Sequence, residues 1–242
     1  AFEEHIIHAP GMTKVREWVK GPIIPTPGAV MEAARVLKEE IGDLIVFDVG
    51  GATTDLHSVT EGSSEINSIL ISPEPEAKRT VEGDLGVYVN VSHIVEKIGM
   101  DNLKKEFPDA EELLINYKPI PITHREKLFV ERLTKEAVLT SLERHAGKLR
   151  YFYTASGKKT VAEGKDLTAI KYIIGTGGTL TRLSGNRRIL ETVKTYAKEH
   201  ELYPAETAKV LIDEDYILSS LGVLSKSYLN DALYLIKKSL RM

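Results

Sequence analysis

Residues 44–60 read LIVFDVGGATTDLHSVT, and the rest of the chain is organised around them. Leu44, Ile45, Val46 and Phe47 form an apolar run of strand length that delivers Asp48 to a turn through Gly50 and Gly51. Thr53, Thr54 and Asp55 begin a returning strand, so the stretch predicts a β-hairpin. Two adjacent glycines remove the β-carbons that would hold a ligand off the main chain, and several N–H groups can then converge on an anion such as a phosphate. Asp48 and Asp55 flank the turn with carboxylates. Carboxylates repel an oxyanion unless a hard divalent cation lies between them, and such a cation takes oxygen ligands, often through water. The pattern suggests a hairpin for Mg²⁺ and phosphate. A plain hairpin with a Gly-Gly turn has the same local sequence, so other segments decide.

The 242 residues, 42% hydrophobic, can bury a full core as one large domain or as a domain with an insertion. A net charge of -3, with no stripe of Lys and Arg, gives no ground for nucleic acid as a partner. The absence of cysteine removes disulfides, thiolate nucleophiles and cysteine-held metals, and fits a cytoplasmic protein. The seven histidines show no H-E-x-x-H pattern and read as surface or packing residues. No apolar run approaches the ~18 residues of a bilayer span, so no membrane association is expected.

Residues 1–26 read as irregular, with a short helical piece about 14–19 in which Trp18 packs as a core or edge aromatic. A helix with an alanine-rich face is expected from Ala29 to about Ile41. After the hairpin, 65–71 reads as a third strand and 72–86 as a loop whose Gly83-Asp84-Leu85-Gly86 end opens a helix at 87–98. Residues 101–122 read as a charged connector. Thr123 and Glu126 form a capping-box signature for a long helix, with a solvated charged face, to about His145. Strands at 149–155 and 159–162 flank a Ser156-Gly157 turn, with Tyr151, Phe152 and Tyr153 expected as core packing. A strand at 169–174 leads into Gly175-Thr176-Gly177-Gly178-Thr179 and a helix to about His200, an arrangement that turns backbone N–H groups and a helix dipole toward a ligand. A strand at 209–212 and helices at 216–225 and 228–240 close the chain.

Four of these segments, in this order, resemble the actin, Hsp70 and sugar-kinase ATPase superfamily. Residues 27–37 resemble its first connecting helix, IVFDVGGATTDL its second phosphate hairpin, IIGTGGTLTRL its adenosine loop and YILSSLGVL its second connecting helix. The GDLG loop at 83–86 is similar to the glycine loop after the hairpin in Hsp70-like members. Within the superfamily, PTPGAVMEAARVL, DVGGATTDLHSV, EPEAKRTVEGDLG and IGTGGTLTRL resemble the MutL/GlmL family, accessory proteins of adenosylcobalamin-dependent glutamate mutase. The resemblance covers nearly the whole chain. Two departures stand out: no D-x-G-[ST]-x-[ST]-K element precedes the first connecting helix, and Ala52 stands where Hsp70-like members carry a third glycine.

The resemblance implies an α/β fold: a ribonuclease-H-like, actin-like ATPase lobe with an inserted α+β subdomain. Residues 27–80 and 165–242 would form the layer and 81–164 the insertion, with a core of its own. Residues 1–26 would lead in from a missing N-terminal lobe of the same protein. By resemblance, Asp48 and Asp55 order the Mg²⁺ shell and the attacking water. Gly50, Gly51, Ala52 and Thr53 offer N–H groups to the ATP phosphates, while Gly83, Gly175, Gly177 and Gly178 approach the nucleotide. The implied function is an ATP- and ADP-binding, chaperone-like reactivating factor, with cobalamin-dependent mutase subunits as partners. A small-molecule kinase and a filament-forming scaffold of the same superfamily are the alternatives. This chain alone, with one of two phosphate hairpins, is expected to bind ATP weakly and not to hydrolyse it.

Overall fold

The computed structural model describes residues 14, 17–19, 21, 23–155, 157–197 and 201–242. In chain order these form α1 (Thr26–Ile41), β1 (Leu44–Val49), β2 (Thr54–Val59), the short α2 (Ser64–Asn67) and β3 (Ala77–Glu82). Helices α3 (Val91–Ile98), α4 (Met100–Glu106), α5 (Ala110–Ile115) and α6 (His124–His145) follow. Then come β4 (Lys148–Thr154), β5 (Gly157–Glu163), β6 (Tyr172–Thr176), α7 (Gly178–Arg182), α8 (Asn186–Ala197), β7 (Lys209–Ile212), α9 (Leu218–Leu224) and α10 (Leu229–Ser239). Among the described residues no helix is long and apolar enough to cross a membrane.

The main sheet is mixed, in the order β3-β2-β1-β6-β7. β1 pairs antiparallel with β2 and β2 with β3, whereas β1–β6 and β6–β7 are parallel. β1 is buried on both sides, which its unbroken apolar run requires. Its alternate side chains enter two apolar layers. Ile45, Phe47 and Val49 join residues from α3, α4, α6 and α8. Leu44 and Val46 join Val30, Ala33, Ala34 and Leu37 of α1 with Leu218, Leu221 and Ile236 of α9 and α10. The architecture is therefore helices on both faces of a mixed α/β sheet.

The hairpin, α1, β7 and the Thr123–Glu126 capping box fall where the local sequence predicts them. The Glu126 N–H donates to Thr123 Oγ1 at 3.1 Å, and the Thr123 N–H donates to Glu126 Oε2 at 2.7 Å. Elsewhere the chain differs. Residues 65–71 are not a strand: Ser63 Oγ accepts from the Ile66 N–H and caps α2 instead. The third strand is β3, inside the segment read as loop, and it crosses the expected boundary at residue 80. AKRTVE lacks an apolar run because β3 is an edge strand whose outward residues face water. The expected connector holds α4 and α5, whose apolar residues pack beneath α6. The segment 81–164 does not keep a separate core, because Leu85, Ile94, Leu103, Phe129 and Leu142 share one apolar cluster with the sheet.

The aromatic strand β4 is the largest departure. β4 and β5 form a separate two-stranded sheet, and Tyr151, Phe152 and Tyr153 are 42%, 51% and 84% exposed rather than buried as core. Trp18, expected as a packed aromatic, is 75% exposed. Residues 15, 16, 156 and 198–200 lie outside the described residues, so the helical piece at 14–19, the Ser156 turn and the end of the helix expected to reach His200 are only partly covered.

Candidate functional site

The chain leaves β1 in two directions, through β2 and β3 on one side and to β6 and β7 on the other. In open α/β sheets such a reversal makes a crevice at the carboxyl ends of the parallel strands. Here that crevice is a cleft of ≈ 520 Å³ lined by Asp48, Asp55, Thr176, the 50–53 turn, the start of α1, Tyr216 and Ser219. Register places Asp48 opposite Asp55 on β2 and beside Thr176 on β6. Like charges opposite each other destabilise a sheet, so sheet stability by itself does not favour this pair.

The electrostatics follow from that crowding. Withdrawal from water, then the charges of Asp55 and Asp213, push the Asp48 carboxyl up to about 6. Burial also raises Asp55, while the Thr53 hydroxyl, donating to Oδ2 at 3.1 Å, pulls the other way. The second Asp55 oxygen, Oδ1, is buried with no hydrogen-bond partner, an orphaned acceptor suited to a cation or its water. Among the described residues no three His, Asp or Glu side chains converge on one point as a ready-made metal cage.

The turn is oriented by the segment that follows β3. Gly50 O accepts from the Val87 N–H at 3.2 Å, Gly51 O from Tyr88 and Val89 at 2.9 and 2.8 Å, and Ala52 O from Asn90 Nδ2 at 2.9 Å. A trans peptide points its N–H opposite to its carbonyl. The N–H groups of Gly51, Ala52 and Thr53 are thereby turned away from 87–90, and among the described residues they have no main-chain acceptor. The Gly50 N–H is different: it donates to Thr53 O at 2.9 Å and closes the turn. Three of the four expected donors are therefore free.

The second glycine segment reaches the same place. Gly177 has φ +87°, and a β-carbon there would stand 2.6 Å from Asp48 Oδ1 and 2.5 Å from Val49 O. Both the backbone angle and the close approach require glycine. Gly178 lines a second cleft of ≈ 550 Å³ with Val87, Tyr88, Tyr117, Ile120 and Arg182, and Gly51 borders both clefts. Two of the expected residues line neither of these clefts. Gly175 is buried under Leu190 of α8, lining neither cleft, and Gly83 touches neither cleft but offers its carbonyl to Asn90 Nδ2 at 2.7 Å.

A family model described as MutL protein matches residues 1–240. This chain belongs to the MutL protein family. A relative named Protein MutL, from Clostridium tetanomorphum, is 36% identical over 255 residues, covering 99% of this chain. The chain spans 55% of that relative's length.

Within this MutL-family chain, sequence reasoning missed Asn90, Thr176, Asp213 and Tyr216. Asn90 bridges the carbonyls of Ala52 and Gly83, joining turn and loop. Asp213 is fully buried and accepts from Thr176 Oγ1 at 2.9 Å, Ser239 Oγ at 2.5 Å and the N–H groups of Ile217 and Leu218 at 3.2 and 2.9 Å. A signal for it existed: KVLI ends in Asp213 much as LIVF ends in Asp48. Tyr216 stands at the cleft rim, its phenol raised by burial and by Asp48 and Asp213.

Proposed function

We propose that this chain is one lobe of an actin-like ATPase that, in the intact protein, acts as a chaperone-like accessory factor for an adenosylcobalamin-dependent glutamate mutase. One observation carries the nucleotide reading: three turn N–H groups are held open beside two opposed carboxylates because every carbonyl of residues 50–52 is already bound. The mutase partner rests on the family resemblance, which family membership supports.

In this reading, Gly51, Ala52 and Thr53 donate to the phosphates of ATP or ADP, and Asp48 and Asp55 are the residues that would hold Mg²⁺. The cation, when bound, neutralises phosphate charge. The orphaned Asp55 oxygen and the raised Asp48 carboxyl fit that role, because both are relieved by a nearby positive charge. Asp48, mostly ionised at neutral pH, orients an attacking water. The nucleoside enters the second cleft, where the Tyr88 and Tyr117 rings stack at 6.1 Å. The five-stranded sheet, β3 included, acts as the ribonuclease-H-like layer, and residues between 87 and 130, packed on the same core, form one wall of the nucleoside cleft. Phosphoryl transfer needs positioning and charge stabilisation more than reactive side chains, and ATP binding biases lobe closure and hence the grip on the mutase.

The test uses the intact protein. Asp48→Ala should keep its fold by circular dichroism, lower ATP turnover at least ~10²-fold and abolish ATP-dependent recovery of inactivated mutase. Undiminished turnover by the variant would remove the hairpin from the site. Normal turnover in the parent protein with no effect on mutase would retain the ATPase and remove the partner.

A further inference from the structure

The β4–β5 hairpin has a composition and an exposure that the proposed nucleotide site does not use. Residues 148–163 carry four cations, Lys148, Arg150, Lys158 and Lys159, against one carboxylate, Glu163, in a chain whose net charge is -3. Arg150 takes that carboxylate at 2.9 Å. Lys158 Nζ stands 3.8 Å from the centre of the Tyr151 ring, and no carboxylate lies within ion-pair distance of Lys148, Lys158 or Lys159 among the described residues.

The register sets aromatic and basic side chains side by side: Tyr151 faces Thr160, Phe152 faces Lys159 and Tyr153 faces Lys158. Because strand side chains alternate, Tyr151 and Tyr153 present one face and Phe152 the other. Among the described residues no helix covers Phe152 or Tyr153, which remain 51% and 84% exposed. The outer edge of β5 is occupied near its base, where Ile71 N–H donates to Ala162 O at 2.9 Å and Ala162 N–H to Ile69 O at 2.8 Å. The outer edge of β4 pairs with no strand among the described residues. A two-stranded sheet is marginal by itself. On the Tyr151 face a carboxylate is already present, since Glu201 accepts from the Tyr151 hydroxyl, whereas the opposite face holds the exposed Phe152 ring with Lys148 and Lys159, an aromatic anchor beside unpaired cations.

We propose that the Phe152 face of this hairpin docks an acidic segment of a partner protein, with Phe152 as the apolar anchor and Lys148 and Lys159, on the same face, reading its carboxylates. Charge decides among occupants. A second copy meeting this face through its own hairpin would bring four more cations and be repelled, whereas an acidic segment gains attraction and steering. The inference stands whether or not the cleft binds ATP.

A random dodecapeptide phage library panned on the intact protein tests it, with parallel panning on Phe152→Ser and on Lys148→Glu/Lys159→Glu. The expected result is enrichment of acidic peptides with apolar residues on the parent, binding the aromatic variant at least ~10-fold more weakly. The charge variant should shift enrichment to basic peptides, and it keeps the test intact if the aromatic variant misfolds. No enrichment, neutral or basic peptides on the parent, or equal binding to both variants overturns the proposal. So does displacement of the enriched peptides by a twenty-residue oligothymidylate, which would mark a nucleic-acid surface.

Discussion

Gly222 of α9 packs directly on the backbone of Ala29 in α1, so closely that a β-carbon at 222 would overlap the Ala29 carbonyl oxygen. The two helices cover the sheet face beneath the carboxylate cleft, with Ala33 and Leu221 in the same apolar layer. Gly222→Ala should therefore destabilise the protein by about 1–3 kcal/mol through overpacking. In an exposed helix interior the same change would stabilise by up to ~1 kcal/mol, so its sign identifies the contact. Urea denaturation reads it directly, and a stabilised variant would refute the close crossing.

Asp213 should be a structural carboxylate. It ties the ends of β6 and α10 to the start of α9 through two hydroxyls and two main-chain N–H groups. Asp213→Ala leaves those donors buried without an acceptor, and unmade buried hydrogen bonds cost about 1–3 kcal/mol each. A loss of at least ~3 kcal/mol is expected, with Asp213→Asn retaining part of the stability because its amide oxygen still accepts. Equal melting temperatures for parent and Asp213→Ala would contradict the network.

Asp48 should make stability depend on pH in the direction opposite to that of a salt-bridged carboxylate. Its folded carboxyl is raised to about 6 from 3.8. As pH rises through that window the unfolded chain releases its proton first, so stability is lost between these values and stays lost above them. The difference is on the order of 2–3 kcal/mol. Asp48→Asn should consequently be more stable than the parent at pH 7 and gain no such advantage at pH 4. Paired urea titrations at the two pH values check this, and a variant no more stable at pH 7 would show that the carboxylate is not strained.

The parts of the site that were legible in the sequence are local. Asp48, Asp55 and the glycine turn lie within one hairpin, and strand alternation with turn preference sufficed to bring the carboxylates together across it. The capping box and the apolar face of α1 were readable for the same reason, since their partners lie within a few residues. β3 was not readable, because an edge strand needs no apolar alternation. Tyr151–Tyr153 misled because aromatic bulk predicts burial only when another layer lies over it, and among the described residues none covers the tip of β4.

The contacts that orient the site are long-range. Local sequence determined an anion-compatible turn flanked by two carboxylates. Which of its N–H groups stay free was decided by residues 87–90, more than thirty positions away, whose donors take the turn carbonyls and rotate the peptides. Sequence separation likewise hid Gly177 against Asp48, and the fold of α8 back over the sheet hid Gly175 under Leu190; the two glycines look alike in sequence and differ in role. Glycine, alternation and capping act over one turn of chain and leave a pattern. Close backbone approach and satisfaction of buried carbonyls depend on which segments meet, and only the packed sheet and helices settle that.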